Sequence, residues 1–174
     1  NSRVFEEVSL AIHGFAETRL GEYRSSECLA GLLERNGFRL ERGVAEMPTA
    51  FVATYGSGKP VIGFLAEYDA LPGLSQKAGS TSKEPVIEGG PGHGCGHNLL
   101  GAANAAAAIA IKQVMEKYTL RGAVKLFGCP AEEGTLGKVY MARAGLFEGV
   151  DACFAWHPSA QNAVRTGSSL AKNE

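Results

Sequence analysis

The spacing of hydrophobic positions changes period several times along the chain, and each change marks an element. Val4, Phe5, Val8, Leu10, Ala11, Ile12 and Phe15 recur at roughly helical spacing and predict a helix over 4–15. Gly14 and Gly21 bracket a break. A second helix is predicted from Glu22 to Asn36, with Leu29, Leu32 and Leu33 on one side and Asn36-Gly37 as its C-cap. Phe51–Tyr55 and Val61–Ala66 then read as two strands of a hairpin, joined through Gly56-Ser57-Gly58-Lys59-Pro60. The second is almost wholly apolar, as a strand covered on both faces would be. Residues 73–92, rich in Gly, Ser, Lys and Pro, predict a surface loop. A tightly packed helix of small residues follows over roughly 98–117, then a buried strand Ala123–Gly128, a short helix over 137–144 closed by Gly145, and a strand Ala152–Trp156. One more strand is expected within 162–170. Strand and helix alternate, which predicts an α/β domain with helices on both faces of a sheet.

Composition narrows the function classes. The 174 residues suffice for one core, and 17 Lys+Arg against 18 Asp+Glu leave a net charge of −1 with no basic run, which argues against a nucleic-acid partner. The longest apolar stretch, Ala105–Ile111, is too short to cross a bilayer, and no leader pattern opens the chain. The chain begins at Asn1 rather than Met, so we expect natural residues to precede it. Its four cysteines, Cys28, Cys95, Cys129 and Cys153, form no CxxC pair. Scattered thiols in a chain that can build its own core point to a reducing compartment, hence the cytoplasm, with Cys28 and Cys153 as buried apolar residues and Cys129 as structural.

Gly92-His93-Gly94-Cys95-Gly96-His97-Asn98 stands out against this background. Two metal-binding side chains, Cys95 and His97, sit one glycine apart at the predicted start of a helix, where free N–H groups and the dipole are expected to lower the thiol pKa. Three apolar strands end in further candidates: Glu67 and Asp69, then Glu132 and Glu133, then His157. Ligands of open α/β sheets gather at the carboxyl ends of strands, so these segments are expected to converge. Cys95, His97, Glu133 and His157 would supply a metal shell with room for water. Glu132 would be the free base, and Asp69 would orient a ligand histidine. Each residue also has a plainer reading. Cys95 alone is a core thiol, His97 a capping residue, Glu132-Glu133 a solvated loop, and Glu67 and Asp69 the start of a polar loop. His93 is expected to be structural or to stand behind the metal ligands, His13 to lie on a helix surface and Trp156 to line the core or a pocket. The chain has no G-x-S-x-G nucleophile elbow, and Gly58-Lys59 and Gly137-Lys138 lack the earlier glycine of a phosphate loop. Cys95 with His97 as a nucleophile–base pair lacks an evident orienting residue.

Taken in order, Glu67-Tyr-Asp-Ala-Leu-Pro72, Gly92–Asn98, Pro130-Ala-Glu-Glu-Gly134 and Trp156-His-Pro158 resemble the metal-dependent amidohydrolase branch of the aminoacylase/carboxypeptidase metallopeptidase family. The resemblance covers nearly the whole chain. It implies a zinc-peptidase-like mixed sheet with a two-metal site for zinc or manganese. By position it makes Cys95, His97, Glu133 and His157 ligands, Glu132 the general base and Asp69 the residue behind the shell. It implies hydrolysis of the amide of a small N-acyl or N-aroyl amino acid, of the p-aminobenzoyl-glutamate type, or of a dipeptide. Two departures matter. The wider family has a ligand histidine where this chain has Glu67, so Glu67 is kept out of the ligand set. Relatives are about twice as long, so a lid domain that mediates homodimerisation and a last histidine ligand are expected beyond Glu174. Residues 1–174 then form the N-terminal part of a catalytic domain, incomplete at its C-terminus. The alternative is a truncated metal-binding α/β module without turnover, and a third reading makes Cys95 the nucleophile of a hydrolase.

Overall fold

The computed structural model describes residues 2–161 and Ala163. Helices α1 (Ser2–Phe15) and α2 (Tyr23–Arg35) precede strands β1 (Arg39–Arg42), β2 (Phe51–Ser57) and β3 (Val61–Ala66). Helix α3 (His97–Tyr118), strand β4 (Gly122–Gly128), helix α4 (Gly137–Arg143) and strand β5 (Ala152–Phe154) complete the described order. Apart from β1, these elements lie within a few residues of the expected bounds. The strand expected within 162–170 lies outside the described residues, Ala163 apart.

The five strands form one mixed sheet in the order β1-β2-β4-β3-β5. Strand β2 is antiparallel to β1 and β4, whereas β3 is parallel to β4 and β5. The expected hairpin is therefore corrected: β2 and β3 are consecutive but unpaired, and β4 lies between them. Hydrophobic period reports that a segment is a strand, not which strand it pairs with. Gly122 makes the insertion possible. Its φ is +129°, and a Cβ there would lie 2.7 Å from the Pro60 carbonyl oxygen, to which Ala123 N–H donates at 2.9 Å. Strand β1 was missed because Arg-Leu-Glu-Arg is polar and mostly exposed. It forms the sheet edge, where charged side chains discourage pairing with another chain.

Alternation divides the sheet into two layers. Phe51, Ala53, Phe64, Ala66, Val124 and Leu126 face α1, α2 and α3, where Ile12, Leu29 and Leu33 are fully buried. Each such side chain contributes roughly 1.5–3 kcal/mol by leaving water. Val52, Phe127 and Cys129 face the other way, against Met47, Ala50 and Met141 of α4. Helices thus cover both faces, three against one. Helix α3 packs through Ala102, Ala105 and Ala108, and these small residues bring its axis close to β3 and β4. All three residues of β5 are exposed, so Cys153 is exposed rather than buried as expected. Among the described strands, the only neighbour of β5 is β3. Cys28 is half-buried and Cys129 buried. No described helix is long and apolar enough to cross a membrane.

Candidate metal centre and active site

The parallel strands β3, β4 and β5 end at one edge, and the chain leaves each of them into polar residues. Just beyond β4, the Cys129 N–H still donates to the Ala66 carbonyl at 2.7 Å, so the two segments exit side by side. Beyond β3, Glu67 and Asp69 stand two residues apart, and both reach the same imidazole, that of His97. Helix α3 arrives from the opposite direction with Gly96 in the left-handed conformation at its N-cap and His97 as its first residue. Gly101, one turn further, lets the helix touch β3: a Cβ there would lie 2.7 Å from the Glu67 carbonyl oxygen.

These placements converge on His97, which is almost fully buried. Its Nδ1–H donates to Asp69 Oδ1 at 2.8 Å, while Asp69 Oδ2 accepts the Glu133 backbone N–H at 2.9 Å. Its Nε2 lies 3.1 Å from Glu67 Oε2 and 4.0 Å from both Glu132 Oε2 and Glu133 Oε1. His157 follows β5, donates Nδ1–H to the Pro158 carbonyl at 3.1 Å, and turns Nε2 toward Cys95 Sγ at 3.2 Å. The two histidine rings stand perpendicular, with centroids 5.8 Å apart. All six residues expected at the site therefore stand together, and Glu67 stands with them.

Two donor triads overlap in this cluster. Cys95, His97 and His157 form one, and Glu67, His97 and Glu132 form the other; within each, the donor atoms lie within 4.8 Å of one another. Imidazole, thiol and carboxylate donors at such spacing suit a divalent transition metal. The electrostatics agree. Burial, then Glu133, Glu132 and Glu67, push the Cys95 thiol up to about 12. This reverses the expected depression, because burial first and the carboxylates second outweigh the dipole of one helix end. A bound cation would reverse it again, since a coordinated thiol loses its proton. Burial pulls the His97 imidazolium down, but Asp69, Glu67 and Glu132 outweigh it and leave its pKa raised. Burial and then Glu67 raise the Glu132 carboxyl, with Lys138 and His97 opposing.

Two supporting residues gave no signal in the sequence. Glu22 at the start of α2 is fully buried; its Oε1 accepts the Ala131 N–H at 3.0 Å and its Oε2 the Thr49 hydroxyl at 3.1 Å. It thereby holds Ala131 at φ 54°, a left-handed conformation rare outside glycine, which aims Glu132 and Glu133 inward. Lys138 on α4 pairs its ammonium with Glu67 Oε1. Local patterning marks neither, because each acts across the fold. His93 is structural, donating from Nε2 to the Ile12 carbonyl at 3.1 Å. Trp156 lines an apolar groove with Phe64, Phe154 and α3.

Comparison with known proteins places this arrangement. Residues 63–169 match the sequence profile of peptidase family M20/M25/M40. The chain is 51% identical over 156 residues to a subunit of the p-aminobenzoyl-glutamate hydrolase of Escherichia coli K12, covering 90% of this chain and 32% of that protein. It is 32% identical over 173 residues to the human Xaa-Arg dipeptidase, covering 90% of this chain and 36% of the relative. The chain thus spans about a third of the length of these curated relatives. Among solved structures, the dinuclear metal-binding M20 peptidase YXEP of Bacillus subtilis shares the fold with a TM-score of 0.73 at 23% identity, over 91% of this chain and 44% of that one. The aminobenzoyl-glutamate utilization protein of Klebsiella pneumoniae does so with a TM-score of 0.59 at 20% identity, over 86% of this chain and 42% of that one. With its profile match covering most of the chain, the mixed sheet shared with YXEP and the donors gathered at the strand ends, the protein belongs to peptidase family M20/M25/M40.

Proposed function

We propose that this chain carries the metal-binding part of a metal-dependent amidohydrolase. It would act on N-acyl or N-aroyl amino acids of the p-aminobenzoyl-glutamate type, or on dipeptides. The observation that carries the reading is the pair of donor triads sharing His97, one of which includes Glu132. The 51% identical relative supports the aroyl-amino acid substrate.

Cys95, His97, Glu133 and His157 would hold a divalent cation, zinc or manganese, and the family's dinuclear relative supports two ions per site. When bound, the cation lowers the pKa of water and polarises a carbonyl. The protein's own residues supply the rest. Asp69 fixes the His97 proton on Nδ1, so the Nε2 lone pair faces inward. Pro158 does the same for His157 through its carbonyl. Glu132 keeps its carboxyl above the usual range, because burial and Glu67 disfavour its charge. A carboxylate so placed takes the proton of the attacking water and returns it to the departing amine nitrogen.

Four free thiols support a reducing, cytoplasmic setting. The Escherichia coli relative is one subunit of its hydrolase, which supports assembly with a further subunit, and a homodimer formed through a lid domain beyond residue 174 is the form expected here. The test is elemental metal content of protein purified without chelator, beside Cys95→Ala, with hydrolysis of p-aminobenzoyl-glutamate measured before and after chelation. One or two equivalents of metal, less in the mutant, and activity lost to the chelator are expected. Activity that survives chelation but not thiol alkylation would overturn the reading in favour of a Cys95 nucleophile.

A further inference from the structure

The mechanism above uses Glu67 only through its charge beside Glu132 and gives Lys138 no contact with metal or substrate, yet their geometry is specific. The Glu67 side chain is 12% exposed, and its two oxygens are divided. Oε1 takes the Lys138 ammonium; Oε2 lies 3.1 Å from His97 Nε2. That second approach lacks the alignment of a hydrogen bond, unlike the contact of Asp69 with Nδ1 on the same ring. Both atoms face the space between them and Glu132.

We propose that Glu67 is itself a metal ligand, binding through Oε2, and that Lys138 is the positioning residue that anchors its other oxygen. This rests on the metal-dependent reading above. Distance favours it. Nitrogen and carboxylate oxygen bind zinc at about 2.0–2.2 Å, so two such donors on one tetrahedral ion stand about 3.4 Å apart. The Glu67 pair at 3.1 Å is near that separation, whereas the Glu132 and Glu133 oxygens are at 4.0 Å from the same nitrogen. Mobility favours it too. Glu67 follows the last residue of β3, and its backbone is pinned beneath Gly101 of α3. With Lys138 on Oε1, the carboxylate cannot swing to bind through both oxygens. A lysine at this point also offsets one of the four carboxylates, Glu67, Asp69, Glu132 and Glu133, that the site gathers. The sequence alone argued the other way, because a glutamate at this position departs from the family's histidine; in the fold it occupies a donor position.

The experiment is a competition titration of zinc, and separately manganese, against a chromogenic chelator. It compares wild type with Glu67→Gln, Glu67→Asp, Lys138→Met, Lys138→Arg and the Glu67→Gln/Lys138→Met pair. Glu67→Gln is expected to weaken binding at least ~10-fold, and Lys138→Met by a smaller factor within the ~10–100-fold range of groups that orient ligands. Lys138→Arg restores most of the loss. The double variant matches Glu67→Gln, because Lys138 acts only through Glu67. Glu67→Asp, which keeps charge and fold but withdraws the oxygen, falls between. Cobalt(II) gives a second readout: in Glu67→Gln the d–d bands change while the thiolate charge-transfer band of Cys95 persists. Lys83→Met, an exposed lysine elsewhere, leaves affinity unchanged. Unaltered affinity and cobalt spectrum in Glu67→Gln would overturn the proposal, as would tighter binding in Lys138→Met. A wild type that takes up no metal would overturn the metal-dependent reading as well, and so is a distinct failure.

Discussion

Two aspartates do the same job at opposite ends of the parallel strands. At the start of β3 and β5, Asp151 accepts the Val61 N–H at 2.6 Å and the Lys59 ammonium at 2.8 Å. At the far end, Asp69 accepts the Glu133 N–H at 2.9 Å and the His97 Nδ1–H at 2.8 Å. Each carboxylate thus joins one backbone amide and one basic side chain, but Asp151 does so in water and Asp69 with its side chain fully buried. Water can replace either partner of Asp151 and salt can screen it, whereas the buried His97 partner of Asp69 has no such substitute. One geometry therefore yields a modest surface clip in one place and an obligatory hub in the other.

Mutations separate the two. Asp69→Ala leaves the buried His97 Nδ1–H and the part-buried Glu133 N–H without their acceptor and is expected to cost about 3–5 kcal/mol by urea unfolding, the usual consequence of breaking a buried pair. It should weaken metal binding by ~10–100-fold as well. A milder effect would show that water enters the hub. Glu22→Ala comes next, at about 2–3 kcal/mol, because the Ala131 N–H loses its acceptor in the core. Gly101→Ala sets two effects against each other. Alanine gains up to about 1 kcal/mol of helix propensity, but its Cβ meets the Glu67 carbonyl and the Leu29 side chain, an overpacking that costs about 1–3 kcal/mol. The net expectation is a lower Tm, with metal affinity reduced alongside. A raised Tm would show that α3 can retreat without moving His97.

Asp151→Asn should be the smallest, and the only one erased by high salt. It also carries a signed pH dependence. Lys59 and then the Val61 N–H hold the Asp151 carboxyl below its ordinary value. The stability it contributes is therefore present above the unfolded-state pKa of about 3.9 and lost as pH falls through the lower folded value. The mutant and the wild type should converge in acid and separate toward neutrality. Divergence in acid instead would contradict the assignment.

The sequence made the helices legible because their burial has a period: Ile12, Leu29 and Leu33 carry α1 and α2 regardless of what they pack against. It located the strands β2 and β3 but misjudged their partner, since pairing depends on how closely Gly122 can pass Pro60, a contact between distant segments. The site was legible wherever chemistry concentrates locally, as at Cys95 and His97. Glu22 and Lys138 were not, because a lone glutamate beginning a helix and a lone lysine within one look like solvated residues. Only the fold shows that one reaches Ala131 and the other Glu67. The thiol expectation failed for a related reason: the helix end beside Cys95 is visible in the sequence, but the burial that outweighs it, and the three carboxylates that add to it from two other strands, are products of the fold.

The hydrogen bond from Ala131 to Glu22 spans 109 residues, and it has a consequence for the order in which the molecule assembles. The turn that carries Glu132 and Glu133 cannot settle until α2 has docked on the sheet, although both were synthesised far apart. Closing so long a loop is slow and rewards the chain only once the packing around it exists. The donors should therefore come into register among the last events of folding. An ion added to a refolding chain would then be captured late, in step with recovery of the whole native signal. The same ion, withheld or supplied, would shift the melting temperature by mass action, so that the folded fraction near that temperature would follow the ambient metal concentration.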